Sequence, residues 1–226
     1  VFNEMKGAYA SPDSVLYRAS KQSLFPDNSY GYDSGGDPTE IPNLTYEQFS
    51  RFHATYYHPS NARIFFYGDD DPTERLRRLD AVLSEFEPIT VNGAVALQPA
   101  FAAPKRVEHV YGVDADSDSS KKAMVQLNWL LPENDNPALT MGLDLLSYVL
   151  VSTQASPMRK ILLDSGLGED LTGGGLGTGL RQMTFAVGMK GIRPGDADKV
   201  EQLILETLTK LADEGFEPEM IEAGVN

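Results

Sequence analysis

The stretch Ala123-Met124-Val125-Gln126-Leu127-Asn128-Trp129-Leu130-Leu131 decides the fold. Val125, Leu127, Trp129 and Leu131 alternate with Gln126 and Asn128. A side-chain period of two with one apolar set marks a strand with one face in a core. Downstream, helices are expected over about 137–151 and 156–165, the second stopped by Gly166. A long strand near 181–190 then leads into a strongly amphipathic helix, with Val200, Leu203, Ile204, Leu208 and Leu211 on one side. Glu217-Pro218-Glu219 opens a last helix. On the upstream side, Arg106 to Val113 reads as a second strand.

Between Glu87 and Pro104 the texture changes to alanine, valine and proline with almost no charge, which fits an ordered but irregular linker. The expected organisation is therefore one unit over 1–87, a linker over 88–104 and a second unit over 105–226. In the first unit a helix carrying Glu4 ends near Ala10, and Ser11-Pro12-Asp13 starts another with Val15, Leu16, Ala19 and Leu24 on its apolar face. Pro26 to Pro42 is an irregular loop rich in glycine and proline. Thr45 caps a third helix with Gln48 three residues on, and Leu44 can staple to Phe49. Phe49, Phe52, His53 and Tyr56 follow at helical spacing. Arg63-Ile64-Phe65-Phe66-Tyr67 has strand composition. Asp71 caps a fourth helix, with Pro72 in its first turn, Glu74 closing a capping box, and Leu76, Leu79, Leu83 and Phe86 as its stripe. Strands with long amphipathic helices in each unit predict an α+β protein of two-layer, helix-on-sheet domains.

The composition is that of a globular chain: 41% hydrophobic and 23% charged over 226 residues. No apolar run approaches the roughly 18 residues that cross a bilayer, so no membrane partner is expected. The absence of cysteine excludes disulfides and cysteine-ligated metals. A net charge of −14 argues against a nucleic-acid partner and suits a basic one, whose local concentration an acidic wall would raise. The same charge would equally serve solubility alone.

Several motifs resolve into ordinary structure. Gly173-Gly174-Gly175-Leu176-Gly177-Thr178-Gly179 lacks the lysine and hydroxyl ending of a phosphate loop, and is expected to be a hairpin between two strands. Asp114-Ala115-Asp116-Ser117-Asp118 imitates the start of a calcium loop, but the sixth position is not glycine and Val125 stands where the bidentate glutamate belongs. Asp69-Asp70-Asp71 is explained by the helix cap. Asn43-Leu44-Thr45 is a formal glycosylation sequon in which Thr45 already has a capping role. No serine elbow or H-x-x-E-H is present: His53 and His58 are spaced H-x4-H with no glutamate between, and His109 stands alone. His58 precedes Pro59 and is expected at a helix boundary.

Longer phrases carry more. Val1-Phe2-Asn3-Glu4-Met5-Lys6-Gly7, Pro26-Asp27-Asn28-Ser29-Tyr30, Asp33-Ser34-Gly35-Gly36-Asp37-Pro38 and Tyr57-His58-Pro59-Ser60-Asn61-Ala62-Arg63 follow one another. Leu127-Asn128-Trp129-Leu130-Leu131 and Ala155-Ser156-Pro157-Met158-Arg159-Lys160 continue the series. Together they resemble the presequence-protease branch of the pitrilysin and insulysin superfamily of zinc peptidases. The resemblance implies domains of the pitrilysin type with mainly antiparallel sheets, in two halves of one polypeptide that enclose a chamber. In such enzymes an inverted H-x-x-E-H motif supplies two histidine ligands and a general-base glutamate. A phrase like Val1-Phe2-Asn3-Glu4 supplies the third ligand. Glu4 is thus the candidate Zn2+ ligand, the metal site is incomplete within these residues, and no catalytic residue is expected in this chain.

The chain opens without methionine and in mid-phrase, so it is expected to be a piece of a longer protein, inactive by itself. The implied substrates are short unstructured peptides, often basic, such as cleaved presequences and transit peptides, in the mitochondrial matrix or chloroplast stroma. The alternative is a non-catalytic relative with a structural or peptide-binding role. The loop Tyr30 to Pro38 either shapes the chamber or is plain loop.

Overall fold

β1 (Ala123–Glu133) pairs antiparallel with β3 (Gln182–Ile192), which pairs antiparallel with β2 (Asp170–Gly177), giving the order β1-β3-β2. This is a computed structural model, and it describes residues 1–225. The chain divides into two units. One comprises residue 1, residues 3–35 and the chain from residue 96 onward; the other comprises Phe2 and residues 36–95.

In the first unit the alternation read from β1 holds. Val125, Leu127 and Trp129 pack against a buried cluster formed by Leu150, Val151, Met158, Leu162, Val187, Met189, Ile192, Val200 and Ile204. Trp129 stands opposite Phe185 across the strands, with ring centroids 5.7 Å apart. The helices that close this core are α6 (Pro157–Asp164) and α7 (Ala197–Glu214); α5 (Pro137–Ser147) precedes them and α8 (Pro218–Val225) follows. Between α5 and α6 the chain winds through one wider π turn, Tyr148–Ser152, whose Val149, Leu150 and Val151 are all buried. The intervening polar residues of β1 meet α2 (Pro12–Leu24): Gln126 Nε2 donates to Ser20 Oγ at 3.1 Å, and Asn128 Nδ2 donates to the same oxygen at 3.3 Å. Buried polar atoms need such partners, which is why the other face of the strand is amide-rich rather than charged.

Two expectations are corrected here. The glycine run does belong to a hairpin, that of β2 and β3, but most of it is strand and not turn: Gly173 to Gly177 lie within β2, and only Thr178 and Gly179 fall in the connection to β3. Gly173 and Gly175 take φ of +74° and +73° at a register shift between Thr172 and Gly175, a conformation open mainly to glycine. The segment Arg106 to Val113 forms no strand. No neighbour among the described residues offers it a ladder; instead Arg106 pairs with Asp198 and Glu201 on α7, and Tyr111 Oη donates to the Lys122 carbonyl.

Within the stretch read as a linker, Gln98 is only 3% exposed. Its backbone N–H donates to Gln182 Oε1 at 2.7 Å, and its carbonyl accepts from Gln182 Nε2 at 3.1 Å. Its own side chain accepts from Asp27 N at 3.0 Å and donates to Asp27 Oδ2 at 2.6 Å. This double clip ties residues 96–98 to the corner after α2 and to the start of β3. Gln182→Ala would leave both backbone groups of Gln98 buried and unpaired, an expected loss of about 2–4 kcal/mol, read as a lower urea midpoint. An unchanged midpoint would show that the clip contributes nothing.

The second unit holds α3 (Tyr46–Tyr56) and α4 (Pro72–Leu83). The capping box is present: Gln48 N donates to Thr45 Oγ1 at 3.2 Å and Thr45 N to Gln48 Oε1 at 2.8 Å. Asp71 caps α4 by accepting from Thr73 N at 2.9 Å. Glu74 does not close a box; Arg77 and Arg78 take its carboxylate, at 2.7 and 2.8 Å. The hydrogen bond from Arg77, followed by that from Arg78, holds the Glu74 carboxyl below its usual range. That contribution is present above the ordinary carboxylate pKa and is lost as pH falls through the lowered one.

No residue of α3 or α4 is buried. Arg63 to Tyr67 is not a strand, and Phe65 and Tyr67 are 86% and 96% exposed. Strand propensity reports fit to a pleated, half-buried surface. With no partner strand beside it among the described residues, the segment has nothing to fit.

Candidate functional site

Glu4 lies in α1 (Phe2–Ala8), in its first turn. Two side chains of α1 anchor it within the first unit. Met5 packs on the loop, where a Cβ on Gly35 would fall 2.5 Å from Met5 Sδ. Tyr9, the C-cap of the helix, lies under the guanidinium of Arg18 on α2, whose Cζ is 3.2 Å from the ring centroid. Glu4 itself is exposed and makes no hydrogen bond or ion pair among the described residues. A carboxylate on an anchored helix, with its oxygens uncommitted, suits a metal ligand whose partners come from another segment.

The other candidates separate. Among the described residues no group of three His, Cys, Asp or Glu side chains is placed to hold a metal. His53 stacks on Tyr57 with centroids 4.8 Å apart and rings 12° from parallel. His58 caps the short turn Pro59–Asn61, its Nδ1 accepting from Ser60 N at 3.2 Å, and meets Phe86 edge-on. Asp114 is a turn residue, its carbonyl accepting from Ser117 N at 3.0 Å. The single candidate ligand fits a catalytic zinc only as one of the three protein ligands such a site needs.

The loop that begins at Tyr30 is built on the same framework. The Tyr30 ring packs edge-on against buried Phe25, 5.5 Å between centroids, and its hydroxyl accepts from Arg181 N at 3.2 Å. Asp33 Oδ1 accepts from Gly35 N at 3.0 Å. One residue without a clear signal in the sequence is Arg18, which joins α1 to α2 through its stack on Tyr9. The one hint was its place between Leu16-Tyr17 and Ala19, close to the apolar face of α2.

Comparison with known proteins gives a consistent picture. Residues 43–226 match the family described as the peptidase M16 inactive domain. Presequence protease 1, chloroplastic/mitochondrial, of Arabidopsis thaliana is 50% identical over 229 residues, covering 100% of this chain and 21% of that protein. Presequence protease, mitochondrial, of Xenopus laevis is 39% identical over 226 residues, covering 99% of this chain and 22% of its own length. The chain thus spans about a fifth of the length of these relatives. The crystal structure of a peptidase M16 inactive domain from Pseudomonas fluorescens superposes with a TM-score of 0.72 at 16% identity, covering 99% of this chain and 53% of that one. At that identity the likeness shows the fold.

Proposed function

Because the chain belongs to the M16 peptidase family, we propose that it is part of a longer zinc metalloendopeptidase that degrades cleaved targeting peptides and other short unstructured peptides. The observation that carries this reading is its likeness, along its whole length, to proteins named presequence proteases. The same names support a mitochondrial or chloroplast location. The match to an inactive domain begins at residue 43, after Glu4. The chain then makes two contributions. Glu4 supplies one ligand from α1, and the later residues supply a wall without catalytic side chains.

In this reading Glu4 offers a carboxylate oxygen to the metal, while Met5 and Tyr9 fix the helix that carries it. The zinc, when bound, makes a water nucleophilic toward the scissile carbonyl. The remaining ligands and the general base belong to polypeptide outside residues 1–226. The division into 1–87, 88–104 and 105–226 is retained as part of the proposal. The contact of Ser20 with Gln126 and Asn128 then belongs to the face where the two domains meet.

A second reading rests on the inactive-domain match: a relative that binds peptides without cutting them. Metal content and cleavage of a basic presequence peptide by the longer polypeptide separate the two. One zinc per chain with chelator-sensitive cleavage is expected; peptide binding without metal or cleavage would favour the second.

A further inference from the structure

Arg18 has a task that α1 does not account for. Its guanidinium stacks on Tyr9, yet its Nη1 is shut away from solvent and meets no hydrogen-bond acceptor among the described residues. A buried charged donor without an acceptor is strongly unfavourable. Beside it is a small pocket of about 70 Å³, lined among others by Arg18, Lys21, Gln22, Tyr32, Asp33 and Ser34. The rim residues Gln22, Tyr32 and Ser34 are exposed, so the pocket opens to solvent while Arg18 lies deeper.

Lys21, one turn along α2 from Arg18, makes no ion pair among the described residues either. In a chain with 33 acidic and 19 basic side chains, neither cation having found a carboxylate means that local geometry denies them one. Asp33 lines the same pocket and has its Oδ1 turned to Gly35 N, but it forms no ion pair with either cation among the described residues. The pocket therefore holds two positive charges against the single negative charge of Asp33, an excess of one, in a space the size of a small planar anion.

We infer that this pocket receives a carboxylate, gripped by Arg18 and Lys21. A guanidinium fork matches the two oxygens of a carboxylate, and an ammonium adds a point charge beside it. Two sources share this chemistry: the C-terminal carboxylate of a bound peptide, and an acidic side chain from elsewhere in the longer polypeptide. The first rests on the peptide-processing function proposed above; the second does not.

The test uses the longer polypeptide stripped of metal, so that it reads binding and stability whether or not the protein cleaves anything. The probe is a short basic peptide made as the C-terminal acid and as the C-terminal amide, followed by fluorescence anisotropy. If a peptide carboxylate enters, the acid binds about tenfold tighter than the amide, as one charge-assisted contact allows. Arg18→Gln then brings the ratio to about one, and Lys21→Gln lowers it without touching the Tyr9 stack, while affinity for the amide is unchanged.

If an internal carboxylate enters, acid and amide bind alike. Arg18→Gln and Lys21→Gln then each lower the melting temperature, and the double variant melts no lower than Arg18→Gln, because both cations serve one group. Equal binding of acid and amide together with additive or absent melting shifts overturns the inference. Should Arg18→Gln fail to fold, Lys21→Gln alone decides: no change in the acid-to-amide ratio and none in melting temperature rejects it.

Discussion

Replacing Glu4 by glutamine in the longer polypeptide is expected to abolish zinc retention and to lower peptide cleavage by more than about 100-fold, since loss even of residues that merely orient metal ligands costs 10–100-fold. The amide keeps the size of the side chain and removes its charge. Glu4 is exposed and bonded to nothing among the described residues, so the melting temperature of the metal-free protein should be unchanged, as for most surface substitutions. This separation is what makes the variant informative. Zinc content by plasma emission and the rate on a basic peptide read the metal role, while melting reads the fold. Full zinc occupancy with full activity would remove Glu4 from the site.

Gly188→Ala is expected to cost more than about 3 kcal/mol of stability, beyond the usual overpacking penalty. Gly188 sits on the central strand β3, opposite Gln126 of β1 and Thr172 of β2. A Cβ there would lie 1.9 Å from the Val125 carbonyl oxygen and 2.5 Å from Thr172 Oγ1. Relief requires a strand to move, and the strands are held by the core beneath them. Gly174→Ala is the control. Its Cβ meets nothing within 4 Å and its φ is not positive, so a change within about 1 kcal/mol, toward stability if anything, is expected from the stiffer unfolded chain. Equal denaturant midpoints for the two variants would contradict the register of the sheet.

These two sites also show what the sequence made legible. The period of two in β1, the capping box of α3 and the apolar stripe of α7 are local patterns, and each appears as read. Glu74 was misread locally, its carboxylate being taken by Arg77 and Arg78; in the other failures the deciding partner was distant in sequence or missing. Arg63 to Tyr67 and Arg106 to Val113 have the composition of strands, but a strand exists only where a neighbour shares its ladder. The glycines of β2 suggest a turn when read alone. Beside β3 they are the residues that let two backbones approach: a Cβ on Gly173 would lie 2.5 Å from the Ala186 carbonyl.

The buried clip of Gln98 was hidden because a lone glutamine in an apolar linker carries no local signal, its partners Asp27 and Gln182 being far off along the chain. At the candidate site, Glu4 was legible through the phrase around it and not through its own surroundings, which offer no second ligand among the described residues.

The most direct measurement is anomalous diffraction at the zinc edge from crystals of the longer polypeptide. An anomalous peak is expected about 2.0–2.2 Å from a carboxylate oxygen of Glu4, the normal zinc–oxygen distance. A zinc peak whose protein ligands do not include Glu4, or a zinc-supplemented crystal with no peak beside α1, would contradict Glu4 as a ligand.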